Sequence, residues 1–471
     1  MKGRRPGDRR VGVERVQPRA YEIVPRRHLR PPMPAALVLV YGFAVMIAIG
    51  TVLLLLPIAN QAREVTPFLT ALFTATSAVC VTGLAVVDTG TYWSGFGQVV
   101  ILLLVQAGGF GFMTSSTLLL FLAVGRRTRL RDRVLMQEAS GTTELGSVVP
   151  LVRRVALFTL TLEAAGALIL TIGFVLHGEA SSRSVWWGIF HSVSAFNNAG
   201  FDLMGDFRSL SAFAEAWPIL ATLGTLVVFG GLGFAIVGDV TGKRSWVRLA
   251  LETKVVLLTT LALLVGGAVL VGFLEWNNPA TLGSMPPPAR VLNALFESVT
   301  LRTAGYTTVD TGALHESTLF LAMALMFIGT ASGSAGGGIK VNTFAILLIA
   351  IASTARGFPS AIAFGRRVPH AVVYRAISVA LLSIAFVFVT AFGLEIVGRA
   401  TFVASLFEAV SAFGTVGLTT GITPGLGASA QLLLVVAMFV GRLGPLTLAL
   451  ALAARERRIS YRPAVETIRI G

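Results

Sequence analysis

Long apolar stretches recur along the 471-residue chain, and polar or basic segments separate them. The stretches fall into four successive pairs, near 36–58 and 95–124, 152–176 and 214–240, 251–275 and 316–353, and 371–397 and 428–453. A helix needs about 20 apolar residues to cross the roughly 30 Å hydrocarbon layer of a membrane. The pattern therefore predicts eight transmembrane helices.

Between the two stretches of each pair lies a short amphipathic segment that leads to a glycine. The four segments are FTATSAVCVTGLAVVD from Phe73, FHSVSAFNNAGFD from Phe190, FESVTLRTAGYTTVD from Phe296 and FEAVSAFGTVGLTTG from Phe407. Each glycine follows its phenylalanine by ten residues, or by nine in the third segment: Gly83, Gly200, Gly305 and Gly417. We interpret the chain as a fourfold tandem repeat.

Each short segment predicts a re-entrant helix. About ten residues can enter the membrane as a helix and stop halfway, and the backbone must then return in an extended form. Unpaired backbone at that depth is tolerated only where it is buried in protein or lines a water-filled cavity. The sequence therefore predicts an all-α polytopic membrane protein. Its four tandem helix–pore-loop–helix modules, with eight transmembrane spans and four re-entrant pore helices, would surround one pseudo-fourfold pore.

The same pattern predicts the boundaries of the parts. The modules are 36–124, 152–240, 251–353 and 371–454; the cytoplasmic linkers are 125–151, 241–250 and 354–370; the cytoplasmic tails are 1–35 and 455–471. The first 30 residues are basic and rich in turn-forming residues, and the apolar stretch after them is too long for a signal-peptide core. We therefore expect a cytoplasmic tail at the N-terminus.

Composition and charge support a membrane location. Hydrophobic residues make up 54% of the chain and charged residues 13%, against about 25% in soluble domains. The net charge is +15, yet 30 of the 38 Lys and Arg lie in five segments between or outside the apolar pairs. This is the positive-inside pattern, so both termini are predicted in the cytoplasm. A basic tail can contact anionic membrane lipid or a cytoplasmic partner, and we predict no binding of nucleic acid.

Other kinds of chemistry find little support. The chain has one cysteine, Cys80, so neither an intramolecular disulfide nor a thiolate zinc cluster can form. The five histidines are scattered, and GxSxG, HExxH and P-loop patterns do not occur. The sequence therefore predicts that the chain is not an enzyme.

The glycine positions predict a selectivity filter. Carbonyl groups that point the same way require dihedral angles that glycine adopts without steric cost, and a ring of carbonyls can replace the water shell of a cation. The predicted filter contains Val81, Thr82, Gly83, Asn198, Ala199, Gly200, Thr303, Ala304, Gly305, Thr415, Val416 and Gly417, with potassium at the four glycines. Carboxylates just past three of these glycines would form an outer vestibule that concentrates cations: Asp88, Asp202 and Asp310.

The second apolar stretch of the third module contains the run GTASGSAGGGIK, residues 329–340, which has little helix propensity. We predict a flexible intramembrane gate with residues Gly329, Ser332, Gly333, Ser334, Gly336, Gly337, Gly338, Lys340 and Arg442. Arg442 lies within the last apolar stretch, where an isolated charge costs at least about 2.5–3.5 kcal/mol, so it should face a polar cavity. The alternatives are a salt bridge to Glu395 or Glu408 and, for Lys340, snorkelling to the cytoplasmic surface.

These segments resemble the Trk/Ktr/HKT superfamily of potassium transporters, in particular its KtrB-type ion-conducting subunit, over about residues 36–455. The resemblance implies that Gly83 favours potassium, since Ser at this position accompanies sodium conduction in plant members. It implies that residues 329–340 gate the pore and that Arg442 acts as a barrier to cations. It also implies a homodimer with one pore per protomer on a cytoplasmic ring of nucleotide-binding (RCK/KtrA-type) regulatory subunits. Sodium is a second candidate ion, because the family contains sodium-dependent and sodium-independent members.

The sequence thus predicts potassium uptake across the cytoplasmic membrane through a channel-like pore. The alternative is a secondary cation transporter with alternating access. Transporters of that kind commonly contain inverted repeats, whereas the four units here are predicted to enter the membrane from the same side.

Overall fold

The computed structural model describes residues 35–110, 148–398 and 400–444, and these residues are mostly helical. The first quarter contains α1 (Ala35–Leu55), α2 (Phe68–Cys80), α3 (Thr89–Tyr92) and α4 (Gly95–Gly109). The second contains α5 (Val148–Leu176), α6 (Ser181–Phe196), α7 (Trp217–Leu232) and α8 (Phe234–Lys243). The third contains α9 (Leu251–Glu275), α10 (Pro287–Thr300), α11 (Glu316–Phe327) and α12 (Val341–Ala355), and the last contains α13 (His370–Gly398), α14 (Phe402–Gly414) and α15 (Ala428–Leu443).

Three of the described helices are long and apolar enough to cross a membrane: α5 from Arg153 onward, α9 and α13. The shortest of these stretches has 24 residues, and at 1.5 Å per residue it covers about 36 Å, more than the roughly 30 Å of hydrocarbon. Their outer faces are apolar. On α9, Leu261, Val265, Val269 and Phe273 are all exposed, and their four-residue spacing places them on one stripe. An exposed apolar stripe of this length is suited to contact with lipid.

The short helices α2, α6, α10 and α14 join the four quarters into a ring. Each packs against the helix that begins the second apolar stretch of the preceding quarter. The pairs are α6 with α4, α10 with α7, α14 with α11, and α2 with α15. The last of these contacts joins the end of the described chain to its beginning. The four quarters therefore surround a common centre.

The second apolar stretch of the second quarter differs from the single span expected near 214–240. Residues 217–243 form two helices, α7 and α8, which meet at an angle of 92°. The break lies at Gly233, which has a φ of 78°. A Cβ atom there would also lie 3.2 Å from the carbonyl oxygen of Gly333. The bend thus needs glycine for its backbone conformation and brings the break against the 329–340 segment.

The described residues also contain short elements other than α-helices. The predicted linker 354–370 contains a short antiparallel pair, β1 (Ile362–Ala363) with β2 (Arg366–Arg367). The 3₁₀ turn Trp246–Arg248 leads into α9. The predicted tails 1–35 and 455–471 lie outside the described residues except for Ala35, as do 111–124 of the first module, 445–454 of the last and most of the linker 125–151.

Candidate ion pathway

The four predicted filter glycines lie together in a closed ring. A Cβ atom added to any of them would meet the carbonyl oxygen of the residue that precedes the next glycine. The distances are 2.4 Å from Gly83 to Ala199, 2.6 Å from Gly200 to Ala304, 2.1 Å from Gly305 to Val416, and 2.2 Å from Gly417 to Thr82. The Cα atom of the next glycine lies 3.1–3.2 Å from the same point at every step. The last step returns to the first quarter, so the ring is complete.

The backbone approaches each filter glycine in the same left-handed conformation. The residue two positions before the glycine has a positive φ in all four quarters: 57° at Val81, 57° at Asn198, 69° at Thr303 and 49° at Thr415. Three of these residues are β-branched, a type that rarely adopts this region. All four are fully buried. Such strain persists only where the surrounding structure imposes it and is concentrated at functional sites, so its fourfold recurrence indicates a shared role.

A polar side chain from the short helix holds the chain beyond the filter in three quarters. The holding residue directly follows the phenylalanine of the repeat, and its partner is the main-chain N–H three residues past the glycine. Leu203 donates to His191 Nε2 at 3.3 Å, Thr308 to Glu297 at 3.0 Å, and Thr420 to Glu408 at 3.0 Å. In the first quarter this position is Thr74, for which the described part of the chain has no equivalent bond. Glu297 and Glu408 therefore act as braces behind the filter.

Glu408 is the more heavily used brace. Its carboxylate also accepts hydrogen bonds from the hydroxyls of Thr419 at 2.6 Å and Thr423 at 2.7 Å, and its side chain is fully buried. We expect Glu408→Gln to lower the free energy of unfolding by about 1.5–3 kcal/mol, because the charge-assisted bonds are lost and the new amide N–H₂ faces donors. The measurement is the thermal unfolding midpoint of the purified protein in detergent. Glu395→Gln, at an exposed position on α13, is the control; equal midpoints for both variants would contradict the bracing role.

A cavity of about 440 Å³ opens above the ring. All four filter glycines line it, and so do the three carboxylates predicted for an outer vestibule: Asp88, Asp202 and Asp310. A fourth acid that the sequence analysis did not select, Asp206, lines it as well. Among the described residues, the last quarter adds Leu418, Thr419, Gly421 and Pro424 to the lining, and none of these is an acid. Carboxylates that line a cavity are of the type that attracts cations.

The 329–340 segment lies against the other side of the filter. Cβ atoms added to Gly336 and Gly337 would lie 2.2 Å from the hydroxyl of Thr303 and 2.3 Å from that of Thr415. These are two of the left-handed residues of the filter, so the segment packs against the filter's base without an intervening layer. Only glycine leaves room for this approach.

Hydrogen bonds define the fold of this segment. Gly329 donates to the carbonyl of Ile339 at 2.8 Å, and Val341 donates to that of Thr330 at 3.0 Å, which brings the two ends together. The N–H groups of Ala331 and Ala335 donate to the carbonyls of Gly231 and Gly230 near the end of α7. Within the segment, the Ser334 hydroxyl is 2.6 Å from that of Thr330, and Gly333 and Gly338 have positive φ. Ser332 donates through its N–H to Asn342 Oδ1 at 3.1 Å.

Three cationic side chains bind carbonyl oxygens of this same segment. Arg442, which is buried, donates to the carbonyls of Ala335 and Gly108. Lys340 donates to the carbonyl of Gly336. Arg302, also buried, donates to the carbonyl of Gly329 at 2.9 Å. The ion pairs among the described residues involve none of these three. Positive charge without a carboxylate partner is therefore concentrated next to the filter.

The contacts of Arg442 and Lys340 differ from the salt bridge and the snorkelling that the sequence left open as alternatives. Arg442 forms no salt bridge with Glu395 or Glu408, because Glu408 is occupied by threonine donors and Glu395 is exposed. The ammonium of Lys340 is held by the segment's own backbone instead of snorkelling away from it. Both cations thus belong to the 329–340 segment and its surroundings.

Residues 33–459 match the TrkH family model, which is described as "Cation transport protein". The chain belongs to this family. Among its relatives, Ktr system potassium uptake protein B of Bacillus subtilis (strain 168) is 40% identical over 420 residues, which cover 89% of this chain and 93% of that protein. Potassium/sodium uptake protein NtpJ of Enterococcus hirae is 35% identical and covers 95% of this chain and 99% of its own.

Solved structures agree on the fold. The potassium transporter TrkH from Vibrio parahaemolyticus superimposes with a TM-score of 0.69 over 91% of this chain and 86% of its own, at 19% identity. The resemblance to the Trk/Ktr superfamily is thus confirmed, as is the interpretation that the chain is not an enzyme. Membership of the TrkH family and the apolar helices make it an integral membrane protein.

The sequence analysis did not foresee a polar cluster that joins the first two quarters of this TrkH-family chain. Asn197 Nδ2 donates to Gln106 Oε1 at 2.8 Å and to Glu163 Oε1 at 3.0 Å, and Gln106 Nε2 donates to Glu163 Oε2 at 3.2 Å. Glu163 lies inside a long apolar helix and is buried. A charged residue within an apolar stretch is unusual, and this was the feature of the sequence that could have revealed the cluster. The cluster fastens α4 to the second quarter and so supports the ring.

Proposed function

We propose that this chain mediates potassium uptake through a channel-like pore formed by four tandem helix–pore-loop–helix modules with eight transmembrane spans. The observation that carries the proposal is the closed ring of four glycines, each preceded by a left-handed residue. A ring of backbone carbonyls can replace the hydration shell of a potassium ion. The relatives' names, potassium uptake protein B and potassium/sodium uptake protein, support the choice of ion.

The filter is formed by the three residues of each quarter that end in the ring glycine, with potassium bound at Gly83, Gly200, Gly305 and Gly417. The outer cavity is the vestibule, where Asp88, Asp202 and Asp310 concentrate the ion before it enters. The shared backbone conformation at the four positions and the acidic lining support these assignments.

The 329–340 segment is the gate, and the arrangement described here is its closed form. Two observations support this assignment: glycines of the segment pack against the base of the filter, and Arg302, Lys340 and Arg442 hold it there. A cation leaving the filter would meet both the segment and unpaired positive charge. Opening would require the segment to separate from Arg442 and from the end of α7.

The membrane potential supplies the driving force. One positive charge that moves inward releases about 2.3 kcal/mol per 100 mV, so a gated pore suffices for uptake. The cyclic packing of the four quarters supports a pore on a common axis over alternating access between inverted halves. Sodium acts as a second ion in this proposal, in keeping with the name of NtpJ.

The protein functions as a homodimer in the cytoplasmic membrane, with both termini in the cytoplasm and a cytoplasmic ring of nucleotide-binding (RCK/KtrA-type) subunits as its regulator. The name "Ktr system", carried by the Bacillus subtilis relative, supports an assembly of more than one component. The concentration of basic residues between the apolar pairs supports the orientation.

The test is rubidium-86 uptake into cells that lack their own potassium transporters, with and without a co-expressed regulatory subunit and with and without sodium. We expect saturable uptake that potassium inhibits and that collapses when the membrane potential is removed. Cells with the empty vector provide the background. Uptake no greater than this background, with the protein present in the membrane, would contradict the proposal.

A further inference from the structure

Residues 205–209 follow the filter of the second quarter and adopt an uncommon backbone conformation. Four of these five residues have a positive φ: 87° at Gly205, 55° at Asp206, 54° at Phe207 and 45° at Ser209. Only one of the four is glycine, so three side-chain-bearing residues occupy a region that L-residues usually avoid. A strained segment of this kind persists when other parts of the structure hold it in place.

The neighbouring quarters provide that support. Toward the first quarter, the N–H of Phe207 donates to Asp88 Oδ2 at 2.8 Å. Toward the third quarter, Leu210 donates to the carbonyl of Thr307 at 2.9 Å, and Thr307 donates to the Ser209 hydroxyl at 3.2 Å. The segment is therefore fastened on both sides of Arg208, within the lining of the outer cavity.

The fastened segment places a positive charge in an acidic entrance. Arg208 lines the same cavity as the four filter glycines and is the one basic residue among the described residues that line it. The surrounding acids are Asp88, Asp202, Asp206 and Asp310. The Nε of Arg208 is 4.0 Å from the carboxylate of Asp206, and both side chains are largely exposed. The guanidinium is therefore only weakly neutralised.

We infer that Arg208 is a tethered cation that opposes the entry of transported cations into the outer cavity and so sets the concentration at which uptake is half-saturated. This inference rests on the proposed function. A flexible arginine elsewhere on the surface would exert little effect. The strained backbone and its two anchors fix the main chain on both sides of Arg208, so that this arginine remains part of the cavity lining.

The size of the effect follows from Coulomb's law. A unit charge about 10 Å from a cation, in a wet entrance with an effective dielectric constant of roughly 40 to 80, changes its local occupancy about two- to fourfold. Salt should weaken this effect, because the screening length falls from roughly 30 Å at 0.01 M to about 10 Å at 0.1 M.

The test compares the KM for rubidium-86 uptake in cells that express the full chain with its regulatory subunit. We expect Arg208→Gln to lower KM about two- to fourfold with an unchanged maximal rate, and Arg208→Glu to lower it further. Arg208→Lys should resemble the wild type, because the charge is retained. Arg183→Gln is the matched control: Arg183 is exposed and lies over the ring of Trp187, outside the lining of this cavity.

Ionic strength provides a second measurement that a purely structural role would not affect. Raising the external salt with N-methyl-D-glucamine chloride should reduce the difference between the wild type and Arg208→Gln. An unchanged KM in Arg208→Gln, or a shift that Arg208→Lys shares and that salt does not alter, would overturn the inference while potassium uptake itself still stands. If the wild type takes up no rubidium, both the proposed function and this inference fail.

Discussion

Replacing Gly83 with serine is expected to raise the ratio of sodium to potassium uptake about tenfold, which corresponds to about 1.4 kcal/mol of lost discrimination. The added Cβ would lie 2.4 Å from the carbonyl oxygen of Ala199, and Gly83 has a φ of 87°. A neighbouring group must therefore move, and the atom nearest to the added Cβ is a carbonyl oxygen of the ring itself. In the proposed filter, displacing this oxygen would change the carbonyl cage that selects between potassium and sodium.

The measurement is uptake of sodium-22 and rubidium-86 in the same cells. Gly95→Ser is the matched control, because Gly95 has open space around it and its φ is not positive. The control should leave the ratio unchanged. If Gly83→Ser also leaves the ratio unchanged while the protein is present at normal levels, our assignment of the filter is wrong.

Arg442→Ala is expected to increase the rate of rubidium uptake about tenfold or more. Two like charges about 10 Å apart repel by about 1.7 kcal/mol at an effective dielectric constant of about 20, which exceeds a factor of ten in rate. The substitution also removes the donor that holds Ala335 of the 329–340 segment, the proposed gate, and Gly108 of α4. Both effects favour an open pathway.

The rate is best measured with purified protein in liposomes, where a potassium gradient sets the potential. Arg442→Lys retains the charge and should keep the rate low, although it loses the forked geometry that reaches two carbonyls at once. A rate below that of the wild type for Arg442→Ala, with normal yield and a single species on size exclusion, would indicate that Arg442 stabilises the fold.

The sequence predicted the parts of the pathway that depend on local pattern. The four glycines were found because the same spacing recurs in four segments, and residues 329–340 because a run of glycine and serine cannot continue a helix. The sequence also indicated that Arg442 needs a polar environment. The partners of Arg442 could not be predicted. They are main-chain carbonyls, which every residue has, so the residue types do not indicate which of them lie nearby.

Other features escaped prediction for identifiable reasons. The chain stays apolar on both sides of Gly233, so the hydropathy does not indicate the 92° bend between α7 and α8. The partners of Glu297 and Glu408 lie 11 and 12 residues further on, past a loop whose path is set by tertiary contacts. Arg208 was not selected, because no residue pattern predicts a run of left-handed conformations at non-glycine residues.

The packing of α15 against α2 has a consequence for how the protein is made. Ribosomes synthesise α2 early and α15 near the end, yet the two helices must meet before the ring is closed. Until then the backbone around Gly83 has no partner from the last quarter, and exposed polar backbone is not tolerated in lipid. The nascent first quarter must therefore be shielded, by the insertion machinery or by its own helices, until α15 has entered the membrane.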